Sequence, residues 1–340
     1  MNLLRRFAPL ASAAVLAAAL AWPTGAQEYV GGGTGVPENT AGYKKWMMFQ
    51  EAVADKSGGT LEITPIISGA LGSEENILSS LRRGRVQVAI VSSMIVASVV
   101  EEAVLLQMPY LFDSQGEADF VLDTVLADVF ADLMADKGLV FLSWDEVGFH
   151  QVYGSRPLLT PADTQGIRFR ISSSPAARLF AESIGADAIA LPFSDLIMGL
   201  QTSLVSAGEN AIILYAQTGV AELAPHLTMT NHSFAVNFFF ADAKWFNNLS
   251  DDHRAAVRAS WPAMNLGREM TRAEWQADLA RADELGFTIH DLTPAQRQAW
   301  RMAVEPAQHA LLEIAGERGK DVLDAVHQGK RAFADQTSVK

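Results

Sequence analysis

The stretch from Gly166 to Asn210 holds the residues of this chain best suited to chemistry. It begins GIRFRI, in which Ile167, Phe169 and Ile171 alternate with Arg168 and Arg170. A period of two is the pattern of a half-buried strand, with both arginines on one face and the apolar side chains on the other. A guanidinium fixed on a strand can grip a planar carboxylate through two parallel hydrogen bonds. Strand arginines also serve in solvent or in structural ion pairs, and the strand alone does not choose between these roles. The helix that follows is clearly punctuated. Ser174 stands at the N-cap position, Pro175 at the first helical position and Gly185 after the last periodic residue.

Nothing beside these arginines makes a catalytic constellation. The sequence contains no G-x-S-x-G elbow, no H-E-x-x-H, no S-x-x-K with its partner motifs and no cysteine. Its seven histidines lack the spacing of metal ligands. Glu74 and Glu75 are adjacent, so on a helix they point in different directions, and they suit the positive end of a helix dipole better than paired acid–base work. The expectation is therefore a non-enzymatic protein with no metal site and no cofactor.

The elements that position these residues begin after an apparent export signal. Arg5 and Arg6 precede an apolar run from Leu10 to Trp22, and Thr24-Gly25-Ala26 offers small residues for cleavage. This is the pattern of a secretory signal over residues 1–26, and the run is too short to span a bilayer comfortably. The whole chain has 26 basic and 39 acidic residues; removing Arg5 and Arg6 leaves 24 against 39, a formal charge of −15. So acidic a chain, with no basic cluster, is unsuited to nucleic acid, and an anionic ligand would need a local cationic site. An exported chain without cysteine must rely on its apolar cores, and its length favours two domains. A bacterial periplasm is the compartment that fits.

In order, the chain offers a strand from Tyr29 into the glycine-rich GGGTG, then a helix over 41–56 with Trp46, Phe49 and Val53 at helical spacing. The glycine run lacks the rest of a P-loop and implies a tight strand-to-helix turn. A strand over 60–66 follows, then a helix opening at Ser73 and closed by Gly84, then the apolar strand from Val86. Near-continuous apolarity implies a sheet covered on both faces and so a parallel α/β fold. A buried connection over 105–112, an amphipathic helix over 114–137 and a strand over 139–143 lead to alternating residues that leave one domain for the next. After Asn210 come a helix to Glu222, a β-rich run over 227–246, and helices over 251–285, 294–314 and 320–334. Two domains without a linker imply that the chain crosses between them more than once.

Several segments together resemble the DctP family, the periplasmic solute-binding proteins of tripartite ATP-independent periplasmic (TRAP) transporters. They are SGALGSEENILSSLRRG, LLQMPYLFD, GSRPLLTPADTQGIRFRISSSP, LPFSDLIMGLQTSLVSAGEN, and TMTNHSF with DAKWFNNL. The resemblance implies a bilobal α/β protein, class II-like, with crossing hinge strands, a long bent helix and a ligand in the interdomain cleft. Its expected domains are residues 27–149 with about 236–275, and 150–235 with about 276–334. By the family's pattern Arg170 pairs with a ligand carboxylate, Phe193 lines the pocket, Asn210 contacts the ligand beside Glu209, and His232 stands in the T-N-H motif. Ser92 occupies a position that is acidic in sialic-acid binders, and Glu74 completes the candidate ligand-binding set.

The departures are informative. His150 stands where many members have a second arginine, replacing a permanent cation with a titratable one. Ser206-Ala207 and Ala211 replace a D-G and a proline, and Gln87 an aspartate. The expected function is capture of a small organic acid, with a single fixed arginine favouring mono-anions, and delivery to TRAP permease subunits by a monomer. A sensory protein presenting ligand to a receptor kinase and a secreted enzyme on the same frame are the alternatives.

Overall fold

Side chains that alternate in one lobe need not alternate in the other, and two strands of this chain are long enough to serve both. A computed structural model describes residues 26–338 apart from 35, 39 and 68; the export signal expected over 1–26 lies, up to residue 25, outside the described residues. Nine strands make one mixed sheet: β1 (Gln27–Gly32), β2 (Leu61–Ile66), β3 (Val88–Ser92), β4 (Leu139–Gly154), β5 (Arg168–Ile171), β6 (Asp187–Ala190), β7 (Ala207–Ala211), β8 (His226–Asp242) and β9 (Thr288–His290). Their order is β2-β1-β3-β8-β4-β7-β5-β6, with β9 also paired to β8. Within each half the short strands are parallel, as expected. The centre differs, because β4 and β8 are antiparallel to each other and to β7 and β3 respectively.

With 16 and 17 residues, β4 and β8 run roughly 50 Å at about 3.3 Å per residue and belong to both halves. The single strand expected over 139–143 and the strands expected after it are thus one continuous element. Besides a shift between Phe141 and Ser143 within the first half, its pairing with β8 shifts twice at the centre, first between Glu146 and Gly148 and second between His150 and Val152. Gly148 takes φ 105°, a value open to glycine. At the second shift, residues 229–232 of β8 face Gln151 alone, since His150 pairs Ser233 and Val152 pairs Thr228. Gln151 fills this bulge, accepting from the Asn231 N–H at 2.9 Å. Bulges of this kind bend a strand and re-aim its side chains.

Each half is covered on both faces, which accounts for the unbroken FFF of β8. Phe238 and Phe240 join the core built by the helices Glu74–Arg82 and Ala127–Ala135, whereas Phe239 enters the opposite core with Trp46, Phe49 and Trp261. In the second half Val152, Phe169 and Ile171 pack with Phe180 and Trp300 on one face, while Tyr153 packs with Tyr215 and Phe287 on the other. The glycines of β1 let the first helix, Ala41–Lys56, approach closely. A Cβ on Gly31 would stand 2.7 Å from the Trp46 ring.

A long helix ties the halves together. The helix Met264–Ala280 sends Arg268 to Asp123 (2.6 and 2.8 Å) and Arg272 to Glu146 (2.8 Å) and Asp119 (2.7 Å) in the first half. Its later residues Trp275 and Leu279 lie against the second half's core. The C-terminal helix Gly319–Ser338 departs from expectation. Val322 and Val326 lie in the first half's core together with Leu311 and Ala315, so residues 319–334 pack with the first lobe and not the second. Their apolar stripe matches the exposed side of the helix run over 115–135, a pairing that no local pattern specifies. Among the described residues no helix is long and apolar enough to cross a membrane.

Phe239 is fully buried and makes edge contacts with Trp46 and Phe49 at ring separations of 5.9 and 5.0 Å. Phe239→Ala should therefore destabilise the ligand-free protein by about 3–5 kcal/mol. A urea-denaturation midpoint unchanged from the parent protein would contradict that role.

Candidate functional site

Where the sheet passes from one half to the other, a cavity of about 660 Å³ opens between them. Strand alternation sends Phe169 and Ile171 into the core and leaves Arg170 on the face toward the cavity, which it lines, while Arg168 is exposed. Arg170 is 7% exposed, and its Nε donates to the Leu191 carbonyl at 3.0 Å. No carboxylate among the described residues lies within ion-pair distance of it. A buried cation without a counter-ion is costly, so its terminal nitrogens form a ready-made anion site. The Phe193 ring, in the turn Phe193–Asp195, stands 6.0 Å from the guanidinium carbon.

Asn210 lies beside Arg170's strand on β7. Its Oδ1 accepts from the Ala211 N–H at 3.1 Å, whereas its Nδ2 is buried without a partner. An unmade donor in such a place costs on the order of 1–3 kcal/mol until something accepts from it. Its position is fixed from behind. A Cβ on Gly208 would collide with the Tyr153 hydroxyl at 2.3 Å, so the glycine lets β7 lie directly on that ring.

Glu209 is the electrostatic centre of the wall. Its Oε2 accepts from His232 Nε2 at 2.6 Å and from His150 Nδ1 at 3.1 Å. Burial pushes this carboxyl upward, but its interactions with His150 and then His232 outweigh that and hold Glu209 far below the usual range. Burial holds His232 below its ordinary value of 6.5 against the pull of Glu209. Phe180 stacks on the His232 ring at 4.0 Å, and Thr230 Oγ1 meets its Nδ1 at 2.8 Å. These three donors are close enough to share a cation, yet each is already committed to the others by hydrogen bonds.

The opposite wall belongs to the first half. Glu74 accepts from the Ser92 N–H at 3.0 Å and from its hydroxyl at 2.6 Å. Burial raises the Glu74 carboxyl, a shift that the Ser92 hydrogen bonds only partly offset. Further along, buried Lys45 pairs with Asp145, whose other oxygen accepts from Asn237 at 3.1 Å. The lips of the cavity touch, since Ser173 donates to Glu75 at 2.8 Å.

Of the residues singled out from sequence, Arg170, Phe193, Asn210, Glu209, His150, Ser92 and Glu74 all line this cavity. His232 does not. It is 1% exposed and stands behind Glu209, carried there by the β8 bulge, so its contact is with that carboxylate rather than with the cavity. Lys45, Asp145, Asn237 and Gln217 line the cavity and were not anticipated. A signal for Lys45 existed, because it precedes Phe49 and Val53 by one and two turns and so sits on the buried stripe of its helix. Asp145 and Asn237 are register partners across β4 and β8, a relation visible only once those strands are paired.

The chain as a whole is matched among known proteins. The family model "Bacterial extracellular solute-binding protein, family 7" (DctP) matches residues 32–313. The chain belongs to this family. Its relatives include the 2,3-diketo-L-gulonate-binding periplasmic protein YiaO of Escherichia coli, 26% identical over 82% of this chain and 85% of that protein. The C4-dicarboxylate-binding periplasmic protein DctP of Shewanella loihica is 26% identical over 85% of this chain and 86% of that protein. Among solved structures, the sugar acid binding protein of Advenella mimigardefordensis in complex with galactonate superposes with a TM-score of 0.84 at 28% identity, covering 89% of this chain and 99% of that one. Membership of this TRAP-associated family and the two-lobed α/β architecture are thus common to sequence and structure.

The buried imidazole has a consequence for stability. The unfolded chain, with an ordinary histidine, takes up a proton before folded His232 does, so stability falls as pH drops through about 6.5 toward the lower folded-state value. Glu209 extends the loss below its ordinary value of 4.5, whereas Glu74, raised by burial, acts in the opposite sense. The thermal midpoint of the ligand-free protein should decline between about pH 7 and 5, and less steeply in His232→Gln. Identical declines in the two proteins would remove His232 from the account.

Proposed function

We propose that the chain is a periplasmic receptor that closes two lobes over a small organic acid and passes it, chemically unchanged, to a TRAP-type membrane permease. The observation that carries this reading is the pair of unmet donors on one wall: the Arg170 fork without a counter-ion and the Asn210 Nδ2 without an acceptor. A carboxylate satisfies both at once. The relatives support the class, since galactonate, diketogulonate and C4-dicarboxylates share a carboxylate and little else. In this reading Arg170 holds the carboxylate and Asn210 and Phe193 fix its plane, with His150, Glu209, Ser92 and Glu74 facing the remainder of the ligand. The lobes are residues 27–149 with the latter part of β8 and the C-terminal helix, and residues 150–235 with the helices from about 276 to 310. The protein works as a monomer, and export by a cleaved leader places it beside its permease.

Neutral polar groups on the far wall, notably Asn237 and the Lys45–Asp145 pair, suit hydroxyls better than a second carboxylate, because Lys45 already has its counter-ion. A polyhydroxy mono-acid is therefore the favoured ligand.

A thermal-shift panel of galactonate, 2,3-diketo-L-gulonate and succinate identifies a ligand, since binding to the folded state alone raises the melting temperature. Arg170→Ala should then lose at least about 100-fold in affinity by calorimetry, as removal of a buried charge partner costs about 3–5 kcal/mol. Its circular dichroism should match the parent. Near-parental binding by this variant would take Arg170 out of the site. Small-angle scattering should also show a smaller radius of gyration at saturating ligand, and an unchanged radius would count against closure.

A further inference from the structure

We infer that His150 provides the second positive charge of the site, and that it does so by taking up one proton as the anion binds. This rests on the acid-binding reading above and adds to it a proton that the ligand brings with it.

The hydrogen bonds around Glu209 leave one open choice. An ionised carboxylate only accepts, so both imidazole nitrogens that meet Oε2 must carry hydrogen: His232 Nε2 at 2.6 Å and His150 Nδ1 at 3.1 Å. His232 is fully enclosed and burial holds it below its ordinary value, so its remaining nitrogen accepts from the Thr230 hydroxyl at 2.8 Å. That ring is fixed as a neutral Nε2–H tautomer. His150 differs because it lines the cavity and its Nε2 has no partner among the described residues. Uncharged, His150 offers the cavity a lone pair, and the His150–Glu209–His232 group carries a net charge of −1. Charged, it offers an N–H, and the group is neutral. A carboxylate entering beside it is repelled by the first state and accepted by the second, so an anion draws the proton onto His150.

The groups facing His150 agree with this assignment. Glu209 comes from β7 and His232 from β8, with its ring centroid 6.3 Å away. Arg170 on β5 shares the cavity and already gives the ligand one permanent cation. From the first half come Glu74 and Glu75, then Glu146 and the self-neutralising pair Lys45–Asp145. Glu146 is held by Arg272. Burial raises Glu74 and, in spite of Arg272, Glu146, so the experiment must separate these carboxyls from His150.

With one linked proton, affinity weakens by up to about tenfold for each unit of rising pH. The probe is whichever of galactonate, 2,3-diketo-L-gulonate and succinate gives the largest thermal shift, titrated by calorimetry between pH 6 and 8.5. Each titration is repeated in two buffers of different ionisation enthalpy to count protons taken up. The wild-type protein should weaken by at least about fivefold over this range with net proton uptake. His150→Gln should bind more weakly at pH 6 and lose both the slope and the uptake, whereas Glu74→Gln should keep them. His150→Arg should bind without a pH slope. A flat wild-type profile without proton uptake overturns the inference, as does a slope that survives in His150→Gln or vanishes in Glu74→Gln. Neither result touches the carboxylate clamp, which fails separately if Arg170→Ala binds like the parent or if no acid in the panel binds.

Discussion

The antiparallel pairing of β4 with β8 is the constraint on which everything else rests. Neither lobe has a sheet of its own that is complete without these two strands, and neither strand is complete within one lobe. Their ladder carries Asp145, His150 and Asn237 to the cavity from one rigid support, and sets His232 behind Glu209. Short parallel strands then add Arg170 and Glu209-Asn210 at one side and Ser92 at the other. Two of the ladder's irregularities occur where it passes between lobes, and they bear on which side chains reach the cavity. Gly148 permits the first, and the four residues opposite Gln151 make the second.

The buried charges divide into two kinds. Lys45 with Asp145, and Arg268 and Arg272 with Asp119, Asp123 and Glu146, are compensated within the protein. They fix the first helix and the lobe-spanning helix against β4. Arg170 has no carboxylate partner among the described residues, and beside it the neutral Asn210 amide keeps a buried donor without an acceptor. Buried polar groups elsewhere find partners far more often than not, so an unmet guanidinium fork beside an unmet amide marks the place where a ligand completes the structure.

Much of this was legible in the chain. The alternation of GIRFRI put Arg170 opposite Phe169 and Ile171, and Ser174 caps its helix through the Ala176 N–H as its type and position imply. The near-continuous apolarity of the strand from Val86 signalled a sheet covered on both faces. What escaped local reading was set by pairing at long range. The continuity of β4 was hidden because its two halves pack in different lobes, and the return of residues 319–338 to the first lobe depends on a stripe that fits either. His232 lay in a motif and was assigned to the cavity; only the register of β8 shows that the bulge turns it behind Glu209. Lys45 was overlooked because a lysine on an amphipathic helix is ordinarily placed in solvent, and its partner lies a hundred residues away.

The homecoming of the last helix bears on the order in which the molecule can assemble. Leu311, Val322 and Val326 finish a core whose other members begin at Ile77. The first lobe therefore stays open on one side until the chain is essentially whole, while the second half takes its latest core members, Trp300 and Val304, somewhat earlier. Synthesis from the N-terminus thus cannot lock the first lobe early. A polypeptide built in this way cannot complete its first core until its final turns are present.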